Sequence, residues 1–143
     1  MNNDTAKARE MLGEGYTCVI LRGERVYTSR ERGVRPLLTL LDSGESFVGF
    51  FAADKVVGRA AAFLYVLLGV SELYAALLSD GALEILNRYG IDVSYDRRVS
   101  YVLNRAGTGP CPMELATANI RDAEDARGAI EDTLRALGER AKK

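Results

Sequence analysis

The spacing of apolar positions divides this chain into alternating helices and strands. Residues Asp4–Leu12 read as a short opening helix closed by Gly13 and Gly15. Tyr16–Leu21 is β-prone, Arg22-Gly23-Glu24 turns, and Arg25–Ser29 returns as a second strand, a hairpin with glycine in its turn. Leu37, Leu38, Leu40 and Leu41 follow Pro36, which suits a first helical turn, and Gly44 ends that helix. Phe47–Ala52 is an apolar run of strand length, and Asp54 then stands as the N-cap of a helix over Lys55–Leu68 that is apolar nearly all round. Leu73–Leu78 is a further strand. Ser79 or Asp80 caps a helix through Tyr89 that Gly90 closes, and Val93–Leu103 supplies the last strand. Pro112 starts a short helix, and Ala123, Ala126, Ile130, Leu134 and Leu137 form one stripe on the final helix.

The order α, β, β, α, β, α, β, α, β, α predicts an α/β three-layer α-β-α sandwich over a five-stranded, mostly parallel sheet. The opening hairpin makes the sheet mixed. No repeat or interior linker divides residues 1–143, so one domain is expected, with residues 139–143 frayed.

Composition narrows the function classes. An apolar fraction of 48% suits a packed core, and 19 basic against 20 acidic residues leave a net charge of −1. That balance argues against binding a nucleic-acid duplex, which calls for a basic face. The longest apolar stretch, Val56–Val70, is broken by Arg59 and too short for a membrane span of about 20 residues. The start of the chain lacks the basic and apolar regions of a signal peptide, so the expected location is the cytoplasm. Cys18 and Cys111 do not form a disulfide framework, and the absence of histidine leaves no Ser-His-Asp or Cys-His arrangement.

Ala53-Asp54-Lys55-Val56-Val57-Gly58-Arg59-Ala60-Ala61-Ala62, with Asn104-Arg105 and Cys111-Pro112-Met113-Glu114 further on, resembles the signatures of a small uncharacterised prokaryotic family. That family is a domain of unknown function placed among cytidine-deaminase-like folds, and the resemblance spans roughly Tyr16 to Leu115. It implies the deaminase-like fold, and it leaves homodimerisation as an expectation. A zinc deaminase needs a His or Cys ligand, a Glu two residues on and a Pro-Cys-x-x-Cys pair. In this element order they belong near Glu31–Pro36 and Asp54–Gly58, and neither stretch holds a cysteine. No metal site and no cofactor are therefore expected. Pro110-Cys111-Pro112-Met113-Glu114 mimics the second motif but opens a later helix.

A small set of residues remains for a site. Asp54 is a helix cap, a carboxylate at a pocket rim, or both. Lys55 and Arg59, four apart, would share a helix face. Arg59 is the lone charge in its apolar run, so it pairs, reaches solvent or binds an anion. Gly58 permits close packing or a ligand's approach. Asn104 binds a ligand or ties its loop. Cys111 sits at a helix start that would favour its thiolate, one turn from Glu114, whose alternative role is to complete a capping box. Three readings follow: a domain binding a small anionic or nucleotide-like ligand through Asp54, Lys55, Gly58, Arg59 and Asn104; a metal-independent enzyme with catalytic Cys111 and Glu114; and a structural or interaction module.

Overall fold

A computed structural model describes the backbone of residues 1–142 and the side chains of residues 1–138. The fraying expected over residues 139–143 lies outside the described side chains. In chain order the elements are α1 (Asn3–Leu12), β1 (Cys18–Arg22), β2 (Arg25–Ser29), α2 (Arg35–Asp42), β3 (Phe51–Val57), α3 (Arg59–Leu68), β4 (Glu72–Ser79), α4 (Asp80–Arg88), β5 (Asp92–Val99), α5 (Pro112–Thr117) and α6 (Ala123–Lys142). The strands lie side by side as β2-β1-β3-β4-β5. β1 is antiparallel to both neighbours, and β3, β4 and β5 are mutually parallel. This is the expected α/β sandwich on a five-stranded mixed sheet.

Strand alternation sorts the core into two faces. Val19 and Leu21 join Ala53 and Tyr74 against Ala8 and Leu12 of α1 on one face. Cys18 and Ile20 join Ala52, Leu73 and Ala75 on the other, beneath α2, α3 and α4. α3 is the central element there, buried from Ala60 through Tyr65, and Ala126 and Ile130 of α6 close over the same core. Among the described residues no helix is long and apolar enough to cross a membrane.

Several boundaries differ from those expected, for identifiable reasons. The strand expected at Phe47–Ala52 starts four residues later, at Phe51. Phe47 and Phe50 instead enter the core from the preceding loop, their rings 5.3 Å apart edge to face, with Tyr27 5.1 Å from Phe47. The strand also runs further, through Val57, because Val56 and Val57 are β-branched and pair with Leu77 and Leu78. Asp54 is consequently a mid-strand residue rather than a helix cap, and Gly58 is the N-cap of α3. The last strand ends at Val99, four residues short of the expected Leu103, which makes only an isolated bridge to Pro110. α4 does begin with Ser79 as its cap, the Ser79 hydroxyl accepting from the Ala82 N–H at 3.2 Å.

Candidate functional site

Two polar constellations lie along α3, one at its N-terminus and one around Tyr65 further along. Of the residues singled out in the sequence, Gly58, Arg59 and Glu114 belong to the first, Asp54 to the second, and Lys55, Asn104 and Cys111 to neither. At its start, the Glu114 carboxylate of α5 accepts from the Arg59 N–H at 2.6 Å and from the Val102 N–H at 2.9 Å. Glu114 is 6% exposed, and each of its oxygens already holds a backbone donor. It caps α3 rather than its own helix, so it does not make the expected capping box: the Cys111 N–H goes to Val102 O instead. The negative charge at the N-terminus of α3 is thus supplied internally. Arg59 donates from Nε to Thr117 O at 3.0 Å and from a terminal nitrogen to Ile120 O at 2.9 Å, capping carbonyls at the end of α5. The guanidinium's charge is met by helix-end carbonyls.

Two glycines let these elements meet. A Cβ on Gly58 would lie 2.8 Å from Glu114 Oε1, and one on Gly81 would lie 2.7 Å from Arg59 Cγ. Lys55 is exposed on β3 and shares no helix face with Arg59, since α3 begins only at Arg59. Its backbone N–H donates to Thr17 O at 3.0 Å. Asn104 folds its own loop: the side chain accepts from the Thr108 N–H at 3.0 Å and donates to Thr108 Oγ1 at 3.2 Å. Cys111 is a half-buried N-cap of α5 whose side chain makes no capping bond. No hydrogen bond joins Cys111 to Glu114, whose oxygens are held by the Arg59 and Val102 N–H groups.

The second constellation lies deeper. Tyr65, one and a half turns into α3 and fully buried, donates its hydroxyl to Asp54 Oδ2 at 2.7 Å. The Cys18 sulfur lies 3.3 Å from the same hydroxyl oxygen. With Asp54 ionised and holding the tyrosine proton, the Cys18 thiol is the donor in that contact. Asp54 Oδ1 accepts from the Val56 N–H at 3.2 Å. β-pairing places Cys18 directly beside Asp54 on one side and Ser29 on the other, so three strands converge here.

Burial governs the electrostatics. It pushes the Asp54 carboxyl up to about 7, against the opposing hydrogen bonds from Tyr65 and from the Val56 and Lys55 backbone. Burial first and the Asp54 charge second push the Cys18 thiol up, with the Tyr65 hydrogen bond working the other way. The Tyr65 hydroxyl is pushed up by burial and then by Asp54 and Cys18. Near neutral pH the chain therefore holds a carboxyl poised between its two forms.

This chain ends at a cleft. Cys18, Tyr27, Thr28, Ser29, Glu31, Pro36, Thr39 and Leu40 line an opening of about 300 Å³ between β2 and the first turns of α2. That volume is at the lower end for small-molecule pockets. The lining residues include Tyr27, Thr28, Ser29, Thr39 and Glu31, the last with no ion pair among the described residues, and no lysine or arginine. A smaller opening of about 150 Å³, lined by Met1, Glu72, Asp92, Val93 and Ser94, has no such buried chain behind it. None of the proposed ligand-binding or catalytic residues lines the first cleft, although Asp54 connects to it through Tyr65 and Cys18. Glu31 and Pro36, which bound the stretch where a deaminase's first motif was expected, do line it. Zinc needs about four donors in a protein site, or three and a water. The cleft supplies one thiol and one carboxylate and no imidazole, and among the described residues no group of three or more Cys, Asp or Glu could hold a metal. The donor set does not fit zinc.

Cys18 and Tyr65 were the residues sequence reading missed. One signal was available: a tyrosine inside the apolar run Ala60–Leu68 must find a partner for its hydroxyl. A strand aspartate was the available acceptor.

The fold and the site define an α/β sandwich with a buried Cys-Tyr-Asp chain where β1 and β3 meet α3. The match of residues 7–134 to the family model "TM1506: Domain of unknown function (DUF1893)" places it: the chain belongs to the DUF1893 family. Its fold is similar to the crystal structure of a DUF1893 family protein (TM1506) from Thermotoga maritima, with a TM-score of 0.84 and 23% identity over 92% of this chain and 91% of that one. A dCMP deaminase from the cyanophage S-TIM5 in apo form matches with a TM-score of 0.44 and 12% identity, over 69% of this chain and all of that one. No curated protein matches the chain.

Proposed function

We propose that this domain binds a small uncharged or basic molecule, of about nucleoside size, in the cleft between β2 and α2. The observation that carries the reading is the Cys18–Tyr65–Asp54 chain behind that cleft. A buried carboxyl is costly to fold around, and an apolar side chain of similar volume would serve packing better. Ionisable groups displaced from their ordinary range and set beside a cleft are candidates for a functional site. The chemistry of the lining selects the ligand. Hydroxyls and one carboxylate favour hydrogen-bond donors and positive charge, and nothing in the lining balances a phosphate. The cationic side chain that first suggested an anion, Arg59, does not line the cleft and donates instead to the Thr117 and Ile120 carbonyls.

The test is titration calorimetry and thermal shift with nucleosides, their 5′-monophosphates and short alkyl amines. Nucleosides or amines should raise the melting temperature, monophosphates should not, and Glu31→Gln should weaken the response by roughly tenfold in Kd, the loss of one charge-assisted hydrogen bond. A panel in which only the monophosphates bind, or in which Glu31→Gln changes nothing, overturns the reading.

A further inference from the structure

We infer that Cys18 is a nucleophile facing the cleft, and that Tyr65 and Asp54 form a two-step relay that removes its proton. The inference rests on the cleft being the binding site and goes beyond it, from binding to a covalent reaction. It moves the thiol chemistry from Cys111 to the other cysteine.

The geometry supplies each part. Cys18 shares its sheet face with Ile20 and lies beneath α2 and α3, so its side chain stands between the cleft and Tyr65. The contacts Cys18 Sγ to Tyr65 Oη at 3.3 Å and Tyr65 Oη to Asp54 Oδ2 at 2.7 Å form an unbroken path for a proton. Its direction depends on Asp54. When the carboxyl is ionised, the tyrosine donates to it and the thiol donates to the tyrosine. When the carboxyl is protonated it can donate to the tyrosine oxygen, and the tyrosine proton then turns toward sulfur. Only the ionised form leaves the relay able to accept the thiol proton. A buried thiolate at rest would be costly, so proton transfer has to accompany bond formation.

The substrate class is an uncharged or cationic activated acyl or alkyl donor. In the step, the sulfur lone pair forms an S–C bond to the electrophilic carbon, and the bond from that carbon to its leaving group breaks. The leaving group departs with the electron pair. The thiol proton moves to Tyr65 Oη while the Tyr65 proton moves to Asp54 Oδ2, leaving a neutral tyrosine, a neutral carboxylic acid and a thioester or thioether on Cys18. A basic leaving group takes the proton back along the same path.

The titratable groups facing Asp54 are Cys18 from β1 and Tyr65 from α3. Glu31 lines the cleft, and Lys55 is exposed on β3 beside Asp54 in sequence. Alkylation kinetics test the relay without a known substrate. The full chain carrying Cys111→Ser is treated with iodoacetamide across pH 5 to 9, and labelling of Cys18 is followed by mass spectrometry. The S–C bond forms as C–I breaks, and iodide leaves with the electron pair. The Cys18 rate should climb through an inflection near 7, where Asp54 ionises, and level off before the range of a free thiol at about 8.5. Asp54→Asn, nearly isosteric, and Tyr65→Phe should each slow labelling at pH 7.5 by about tenfold or more and remove that inflection. Circular dichroism checks that both variants fold, and the profile with the network intact stands if either does not. No labelling of folded Cys18, or a rate that climbs past pH 8.5 alike with and without Asp54, overturns the relay. Iodoacetamide needs no affinity for the cleft, so the relay and the binding proposal can fail separately.

Discussion

The N-terminus of α3 and its stretch around Tyr65 both bury charge, but in different ways. At the N-terminal end, Glu114 and Arg59 meet backbone groups: the Arg59 and Val102 N–H donors, and the Thr117 and Ile120 carbonyl acceptors. Backbone groups have no alternative protonation state, so this cluster is closed and static. One turn and a half along the helix, Tyr65 meets Asp54 and Cys18, side chains that each gain or lose a proton, and the series opens on a cleft. Polar burial alone thus separates nothing. What separates scaffold from candidate chemistry is whether the partners are fixed backbone dipoles or titratable groups, and whether the network reaches solvent.

The sharpest way to break that division is to remove Glu114. Glu114→Ala leaves the Arg59 and Val102 N–H groups without partners in a buried site, and each orphaned donor costs about 1–3 kcal/mol. The variant should lose roughly 3–5 kcal/mol in urea denaturation, with the slope unchanged. A loss below about 1 kcal/mol would mean that water reaches both donors and that the cluster is not closed.

Asp54 should behave differently, through pH rather than through packing. Its folded-state value of about 7 lies above the unfolded value near 3.9, so the folded chain holds a proton there that the unfolded chain has released. Stability from this group is full below about pH 4, falls as pH rises toward 7, and is flat beyond. The span corresponds to as much as about 4 kcal/mol. Asp54→Asn cannot titrate, so the wild type should lose stability relative to it by a few kcal/mol between pH 4 and pH 8. Subtracting the two urea-melt series cancels the other carboxylates. A constant difference would place Asp54 in the same static class as Glu114.

How much of this was legible in the sequence follows from range. The sheet order's ingredients, the hairpin at Arg22-Gly23-Glu24, the Ser79 cap and the Pro112 start depend on residues within a few positions of one another. They read correctly because turn and cap chemistry is local. The failures were tertiary. Asp54 has the composition of a cap, yet β-branched Val56 and Val57 hold the strand past it, and its partner Tyr65 is reached only because α3 folds back over β3. Glu114 has the spacing of a capping box for α5, yet it serves a helix 55 positions earlier in the chain. Arg59 was recognisable as a charge that needed an answer; that the answer was a pair of carbonyls at the end of α5 required the fold. Of the cleft the sequence offered one hint, the stretch Glu31–Pro36 where a deaminase's first motif was expected; its joining with Cys18 and Ser29 comes only through strand pairing and the placement of α2.

The smallest expected effect tests the division from the other side. Cys111 stands at the N-cap of α5 with extended backbone and no capping bond from its side chain. Serine is among the preferred residues there, and its hydroxyl accepts from the N–H groups of the first turn, which a thiol does poorly. Cys111→Ser should therefore leave stability unchanged or raise it by about 0.5 kcal/mol, as read in the same urea melts. It should also leave the melting-temperature response to nucleosides and amines unchanged, because Cys111 is not among the residues lining the cleft. A variant that folds normally but loses that response would tie α5 to the cleft. The two constellations along α3 would then have to be treated as one site, with Glu114 and Arg59 holding it in shape.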